Sequence, residues 1–207
     1  IGMGYVSHDI GGFVHPSAPL IDPILYLRWL QFGIFNPVFR LHSAPGSGSR
    51  LPWDYGDVNA GNALHWLRFR NSLIPYIYAA ARRHHDEGLP LVRGLFLDHP
   101  DRPEAYRFDE FMFGDSLLVA PILAARADRT VYLPPGDWFR YHDGEAVAGD
   151  RTLSIVAGLG EIPLYAKAGS ILVRQGPSQH PAAAHVEDIA LEVFPGPAAA
   201  ATLYEDD

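Results

Sequence analysis

Ser7-His8-Asp9-Ile10-Gly11-Gly12-Phe13 is the stretch on which the reading of this 207-residue chain turns. The apolar run Ile1-Gly2-Met3-Gly4-Tyr5-Val6 leads into it. An acid and a glycine pair then close that run, which is the pattern of a buried strand ending at Asp9. Gly11-Gly12 allows a sharp turn, or the close approach of a ligand to the backbone. A second strand-like run, Pro37-Val38-Phe39-Arg40-Leu41-His42, alternates so that Val38, Arg40 and His42 share one face and Phe39 and Leu41 the other. Between the two runs, Asp22-Pro23 is a helix start, with Asp as N-cap and Pro at the first helical position. The helix is expected to reach Ile34, and Asn36-Pro37 to stop it. Its stripes, Leu25-Trp29-Phe32 and Leu27-Leu30-Ile34, predict burial by several neighbours. Strand, helix and strand, with ionisable groups at both strand ends, is the layout of a βαβ unit with a site at the strand carboxyl ends.

Beyond His42, residues 43–59 read as a loop rich in Ser, Gly and Pro. Gly46-Ser47-Gly48-Ser49 is its flexible part, and Leu51-Pro52-Trp53-Asp54-Tyr55 anchors its far end. A long loop directly after a strand end is either a site wall or a plain surface connection. Asn62–Glu87 reads as one long helix, with Asn62 as N-cap, Gly88 just past its end, and a kink at Pro75. After Gly88 the pattern becomes short strand-like runs: Leu91–Asp98, Phe111–Phe113, Ser116–Leu123, Thr130–Leu133, Thr152–Ile155, Pro163–Ala166 and Ser170–Val173. Their spacing indicates an antiparallel sheet or sandwich. The domain reading is therefore 1–89, then 90–174, then 175–207. In the last stretch Gln175–His185 is a linker, and Ile189–Phe194 and Ala201–Tyr204 open a further β module.

Composition narrows the function classes. A net charge of −8 argues against nucleic acid and anionic membranes as partners. The sequence has no run of 18 apolar residues and no visible signal peptide. It has no cysteine, which excludes disulfides but leaves the compartment open. At 48% hydrophobic residues it can bury a sizeable core. It opens on Ile inside a strand pattern and closes on Asp206-Asp207, so the expectation is a piece of a longer polypeptide, truncated at both ends.

Several runs together resemble glycoside hydrolase family 31, the family of retaining α-glucosidases and α-xylosidases. They are Ser7–Phe13, Leu27-Arg28-Trp29-Leu30-Gln31-Phe32-Gly33 and Phe39-Arg40-Leu41-His42, then Leu73–Tyr78, Phe113–Pro121, Tyr132–Trp138 and Leu203–Asp207. These blocks are collinear and cover nearly the whole chain, whereas a lone Asp-x-Gly-Gly would say little. The resemblance implies an α/β plus all-β fold: the last two βα units of a (β/α)8 TIM barrel followed by an antiparallel β-sandwich. Ile1–Asp9 would be the seventh barrel strand and Val38–His42 the eighth.

Five residues are candidates for substrate binding. Asp9 reads equally as a carboxylate at a strand mouth and as a turn cap bonding the Gly11 or Gly12 N–H. The resemblance favours the first reading, because the matching Asp lies in the sugar pocket as a positioning residue. A lone strand His such as His42 is more often structural. The family's Arg-x-His, matched by Arg40-Leu41-His42, has its His on the terminal sugar, and imidazole can both donate to and accept from hydroxyls. Arg40 pairs with Asp9 or another acid, or contacts sugar directly. Phe13 and Trp53 are rim aromatics, while Trp29 is expected in the core. His8, Asp9 and His15 match no zinc spacing, and the resemblance implies neither metal nor organic cofactor.

No catalytic residue is assigned within the chain. A retaining glycosidase needs two carboxyl groups about 5–5.5 Å apart. In the resembled family both are aspartates on earlier barrel strands, in runs like Trp-x-Asp-Met-Asn-Glu and Gly-Asp-Asn, and neither run occurs here. The expected parent activity is release of terminal non-reducing α-linked glucose from oligosaccharides, with the rest of the parent polypeptide as a necessary partner. α-Xyloside hydrolysis is the nearest alternative. A non-catalytic carbohydrate-binding module built on residues 90–207 is the reading from another class.

Overall fold

The two chain segments that flank the first helix lie side by side and parallel. Val38 N–H donates to the Val6 carbonyl and Ile10 N–H to the Arg40 carbonyl, each at 3.3 Å. The structure, a computed structural model, describes residues 3–14, 20–176, 188–197 and 200–206. Within these the expected strand ending at Asp9 does not form a ladder. Its pairing reduces to one isolated parallel bridge, Ile10 to Leu41.

Helix α1 (Pro23–Ile34) starts where expected. The Asp22 side chain accepts from the Ile24 and Leu25 N–H groups at 2.9 Å, satisfying two of the unpaired donors of the first turn. Leu27, Leu30 and Ile34 are buried, but Leu25 is 52% exposed and Trp29 and Phe32 are half-buried. The helix is thus covered on one side rather than all round. Its close approach to the first segment needs Gly33, since a Cβ there would lie 2.4 Å from Ile10 Cδ1.

The expected long helix is two. Helix α2 (Asp57–Ser72) begins five residues before Asn62, so Asn62 lies inside it, and α3 (Ile74–Glu87) follows after a break at Leu73. Pro75 sits in the first turn of α3, where a missing N–H costs nothing; within a continuous helix its ring would crowd the carbonyl four residues back. Gly88 caps α3 in the left-handed conformation, its N–H on the His84 carbonyl.

The rest is antiparallel. Strands β1 (Val92–Arg93), β2 (Phe111–Phe113), β3 (Leu117–Val119), β4 (Asp128–Leu133), β5 (Asp137–Arg140), β6 (Ala146–Ala148), β7 (Arg151–Val156), β8 (Leu164–Lys167), β9 (Ile171–Gln175) and β10 (Ile189–Val193) are described. Six form one sheet in the order β1-β2-β3-β8-β5-β6, while β4 pairs with β7 and β9 with β10. Alternation along the central strands explains why they are apolar at every position. Phe111, Phe113, Leu117, Val119, Leu164 and Ala166 point into a core shared with the helices. Met112, Leu118 and Tyr165 point the other way, into a core with Val131, Tyr132 and Leu133 of β4. The sheet is therefore a middle layer, buried on both faces.

Several details depart from the sequence reading. Leu91–Asp98 is a two-residue strand followed by a 3-10 turn, Leu95–Leu97. Strands β5 and β6 were not anticipated, and Ala201–Tyr204 forms no strand. Ile189–Val193 does form one, and it lies against β9 in full register from Ile189–Gln175 to Val193–Ile171. Most of the expected linker, residues 177–185, lies outside the described residues.

The helices and the sheet are joined by the loop after β7. Arg28 donates to the carbonyls of Glu161 (3.1 Å) and Ala157 (3.3 Å), Gln31 to Leu159 (2.7 Å), and Trp66 to Gly160 (2.9 Å). A loop enters an interface only if its carbonyls find donors, and these three side chains supply them.

Candidate functional site

The site grows out of the two parallel segments. The Arg40 guanidinium holds Asp9 by Nε (2.7 Å) and Nη2 (2.6 Å), both on Oδ1. Among the described residues Oδ2 has no hydrogen-bond partner, so it can accept from a ligand hydroxyl. The turn-capping alternative for Asp9 is not what the structure has. Gly12 N–H does bond residue 9, but through the backbone carbonyl at 2.8 Å, while the side chain turns to Arg40. With Asp9 a quarter exposed and Arg40 half exposed, the pair is reachable from solvent. Its value to stability is therefore small, and its value to orientation larger.

His42 and Phe13 meet as stacked rings, centroids 5.1 Å apart and 14° from parallel. The Ala44 N–H donates to the Phe13 carbonyl at 2.7 Å and fixes that approach. Trp53 is not brought to these four: no ring contact, ion pair or hydrogen bond joins it to them among the described residues. It stands 66% exposed on the 3-10 turn Pro52–Tyr55. That turn is anchored by Tyr55, which stacks on Tyr26 at 3.7 Å and donates to the Ser49 carbonyl.

Two neighbours had no role in the sequence reading. His8 accepts from the Trp29 indole N–H at Nδ1 (2.9 Å), lies 2.8 Å from the Asn36 amide at Nε2, and stacks on Phe32. Burial lowers its pKa, against the opposing pull of Asp9. The ring is thus a neutral packing group behind the site, and Trp29, expected as core, is half-buried with its indole N–H engaged. Arg50 is the other. It is 3% exposed, and its side chain lies under the Gly11-Gly12 turn. The only signal for it in the sequence was an arginine ending a Gly/Ser stretch. Among the described residues no group of three His, Asp or Glu side chains could hold a metal, and His15 lies outside them.

Neither of two cavities coincides with this group. One, about 420 Å³, lies between α3, Arg93, Asp115 and the stretch up to Tyr204. The other, about 390 Å³, is an apolar groove along the exposed side of α1, lined by Leu25, Trp29, Phe32 and Leu123. Asp9, Arg40 and His42 line neither. No described helix is long and apolar enough to cross a membrane.

The chain also matches known proteins along most of its length. Residues 1–80 match the family description "Glycosyl hydrolases family 31 TIM-barrel domain", and residues 88–172 match "Glycosyl hydrolase family 31 C-terminal domain". The chain belongs to glycosyl hydrolase family 31 and comprises the end of its TIM barrel and its C-terminal domain. Alpha-glucosidase 2 of Bacillus thermoamyloliquefaciens is 34% identical over 173 residues, 83% of this chain and 22% of its own length. An alpha-xylosidase of Saccharolobus solfataricus is 33% identical over 213 residues, 100% of this chain and 28% of its own. In three dimensions, the dextranase of Flavobacterium johnsoniae, solved with isomaltotriose, superposes with a TM-score of 0.82 at 31% identity, over 91% of this chain and 24% of its own. The chain thus spans about a quarter of the length of these relatives.

Proposed function

We propose that this chain supplies the closing part of the catalytic barrel of a retaining α-glycosidase, with the segment ending at Asp9 and Val38–His42 as its seventh and eighth strands. Asp9, Arg40 and His42 orient the terminal non-reducing sugar there, and Phe13 and Trp53 form rim surface. The observation that carries this is the Asp9–Arg40 pair at the ends of two parallel segments, one carboxylate oxygen tied down and the other without a partner among the described residues. Such a carboxylate accepts from a sugar hydroxyl in one fixed direction, and His42, two residues past Arg40, can donate or accept, so the two together would fix a ring rather than a point. The reaction is a double displacement. One aspartate attacks the anomeric carbon, and a second protonates the leaving oxygen and later activates water. In family 31 both stand on earlier barrel strands. The residues described here therefore bind and orient, and the bond-breaking carboxylates come from the remainder of the polypeptide. The domain division 1–89, 90–174 and 175–207 follows the same layout.

Glucose is the favoured sugar and xylose the alternative, since relatives of both names match at 34% and 33% identity. The test is hydrolysis of aryl α-glucoside and aryl α-xyloside by the 207-residue chain and, beside it, by the full polypeptide. Turnover by the full polypeptide alone is expected, and the preferred glycoside names the activity. Turnover by the 207-residue chain, surviving Asp9→Ala, would put the catalytic pair elsewhere in this sequence. Oligosaccharide binding retained after deletion of residues 1–89 would favour the binding-module reading instead.

A further inference from the structure

Arg50 carries more than its place in a loop would suggest. The chain around it is held from two sides: the Tyr26 hydroxyl of α1 donates to its carbonyl at 2.7 Å, and Tyr26 is stacked on Tyr55. From that fixed base the side chain reaches back to the glycine turn. Nε donates to the Gly12 carbonyl (3.2 Å) and Nη1 to the Ser49 carbonyl (2.9 Å). Gly11, at φ +86°, lies so close to the arginine stem that a Cβ would sit 2.3 Å from Cδ. Among the described residues the remaining nitrogen, Nη2, is buried without a hydrogen-bond partner. A buried guanidinium with an idle donor costs stability. What that cost secures is visible in the neighbours: Gly12 follows Asp9 by one tight turn and precedes Phe13, the ring on His42.

We infer that Arg50 is a positioning residue, which ties loop 43–55 to the Gly11-Gly12 turn and so sets the spacing between Asp9 and the Phe13–His42 pair. This rests on the proposed sugar-binding role of Asp9 and His42. Lysine cannot replace it, because a single ammonium cannot serve the Gly12 and Ser49 carbonyls in one plane. Removing the guanidinium cuts the tie to the Gly12 carbonyl, while the Tyr26 and Tyr55 hydroxyls still hold the loop at the Arg50 and Ser49 carbonyls, so the loss falls on the glycine turn.

The test has two arms. In the 207-residue chain, Arg50→Met keeps much of the stem's bulk and removes the donors. Amide exchange at Gly12 and Ala44 should quicken at least ~10-fold while Leu118 in β3 stays as protected as before. In the full polypeptide, Arg50→Lys and Arg50→Ala should lower kcat/KM by up to about 10²-fold, with Tm nearly unchanged. Added guanidinium should restore activity to Arg50→Ala, which loss of global stability would not allow. Unchanged exchange at Gly12 overturns the inference. So does activity that survives Arg50→Ala in a polypeptide that Asp9→Ala inactivates. Should Asp9→Ala and His42→Ala both leave hydrolysis intact, the sugar-binding reading fails, and the exchange arm alone decides whether Arg50 sets the turn.

Discussion

The segment from Met3 to Trp53 and the sheet from Val92 to Gln175 are built on opposite terms. In the sheet, strands such as β2 and β3 are buried at every position and paired on both edges. In the first segment one isolated bridge joins the two parallel stretches, and Tyr5, Val14, Leu25, Val38 and Trp53 stand exposed. The sheet finds its partners within the chain. The first segment packs Ile10 and one side of α1 into the shared core, but its strand ends and loop are held by single side-chain bonds, such as Arg40 to Asp9, Trp29 to His8 and Arg50 to Gly12. In the sheet apolar side chains cover one another, whereas in the first segment several stand open to solvent, where a further partner would cover them.

The sharpest way to break this comparison is to truncate one apolar side chain in each region. Phe113→Ala should cost about 3–5 kcal/mol, whereas Val38→Ala should stay within about 0.5 kcal/mol. Urea midpoints of the 207-residue chain measure both, and equal losses would refute the contrast. The same experiment on the full polypeptide sharpens it, since Val38→Ala should then cost more.

Next in size is activity. Asp9→Asn and Arg40→Met in the full polypeptide should each reduce kcat/KM by about 10²-fold, about 2.7 kcal/mol of transition-state stabilisation, with little change in Tm. A Tm drop that accounts for the lost activity would make the pair structural. Arg28→Met should cost about 2 kcal/mol, because the Glu161 and Ala157 carbonyls lose a charged donor inside the interface. Unfolding of the helices and sheet at separate midpoints in this variant would show that the loop after β7 couples them.

The smallest effect is a pH slope in the sheet. Burial pushes the Glu110 carboxyl up to about 7, against the pull of Arg107 and Arg129. Folded protein therefore binds a proton that unfolded chain, titrating near 4.5, has already released. Stability should fall as pH rises from about 4.5 to about 7 and then level off. Glu110→Gln should flatten that slope. A slope unchanged in the variant would assign it to other groups.

How much of this was legible in the sequence differs by region for physical reasons. The start of α1 was, because Asp22-Pro23 encodes its own cap. So was the end of α3, through Gly88. The split of the long helix at Leu73 was read as a kink, since Pro75 signals an interruption without fixing its extent. β5 and β6 were missed because short strands bounded by turn residues acquire their register only from partners: β5 lies between β6 and β8.

Asp9, Arg40 and His42 could be singled out as candidates from local pattern and family resemblance, because a strand that ends in ionisable groups shows it along a few residues. The sequence alone also determined the family and the change from helices to antiparallel strands near residue 90. Only the tertiary structure decided that Asp9 turns to Arg40 and not to its own turn. It alone put Phe13 on His42, left Trp53 apart, and buried Arg50 under Gly11. Each of these is a contact between residues dozens of positions apart, or a choice between two partners of equal local merit. Such choices are made by packing, and local sequence carries no record of them.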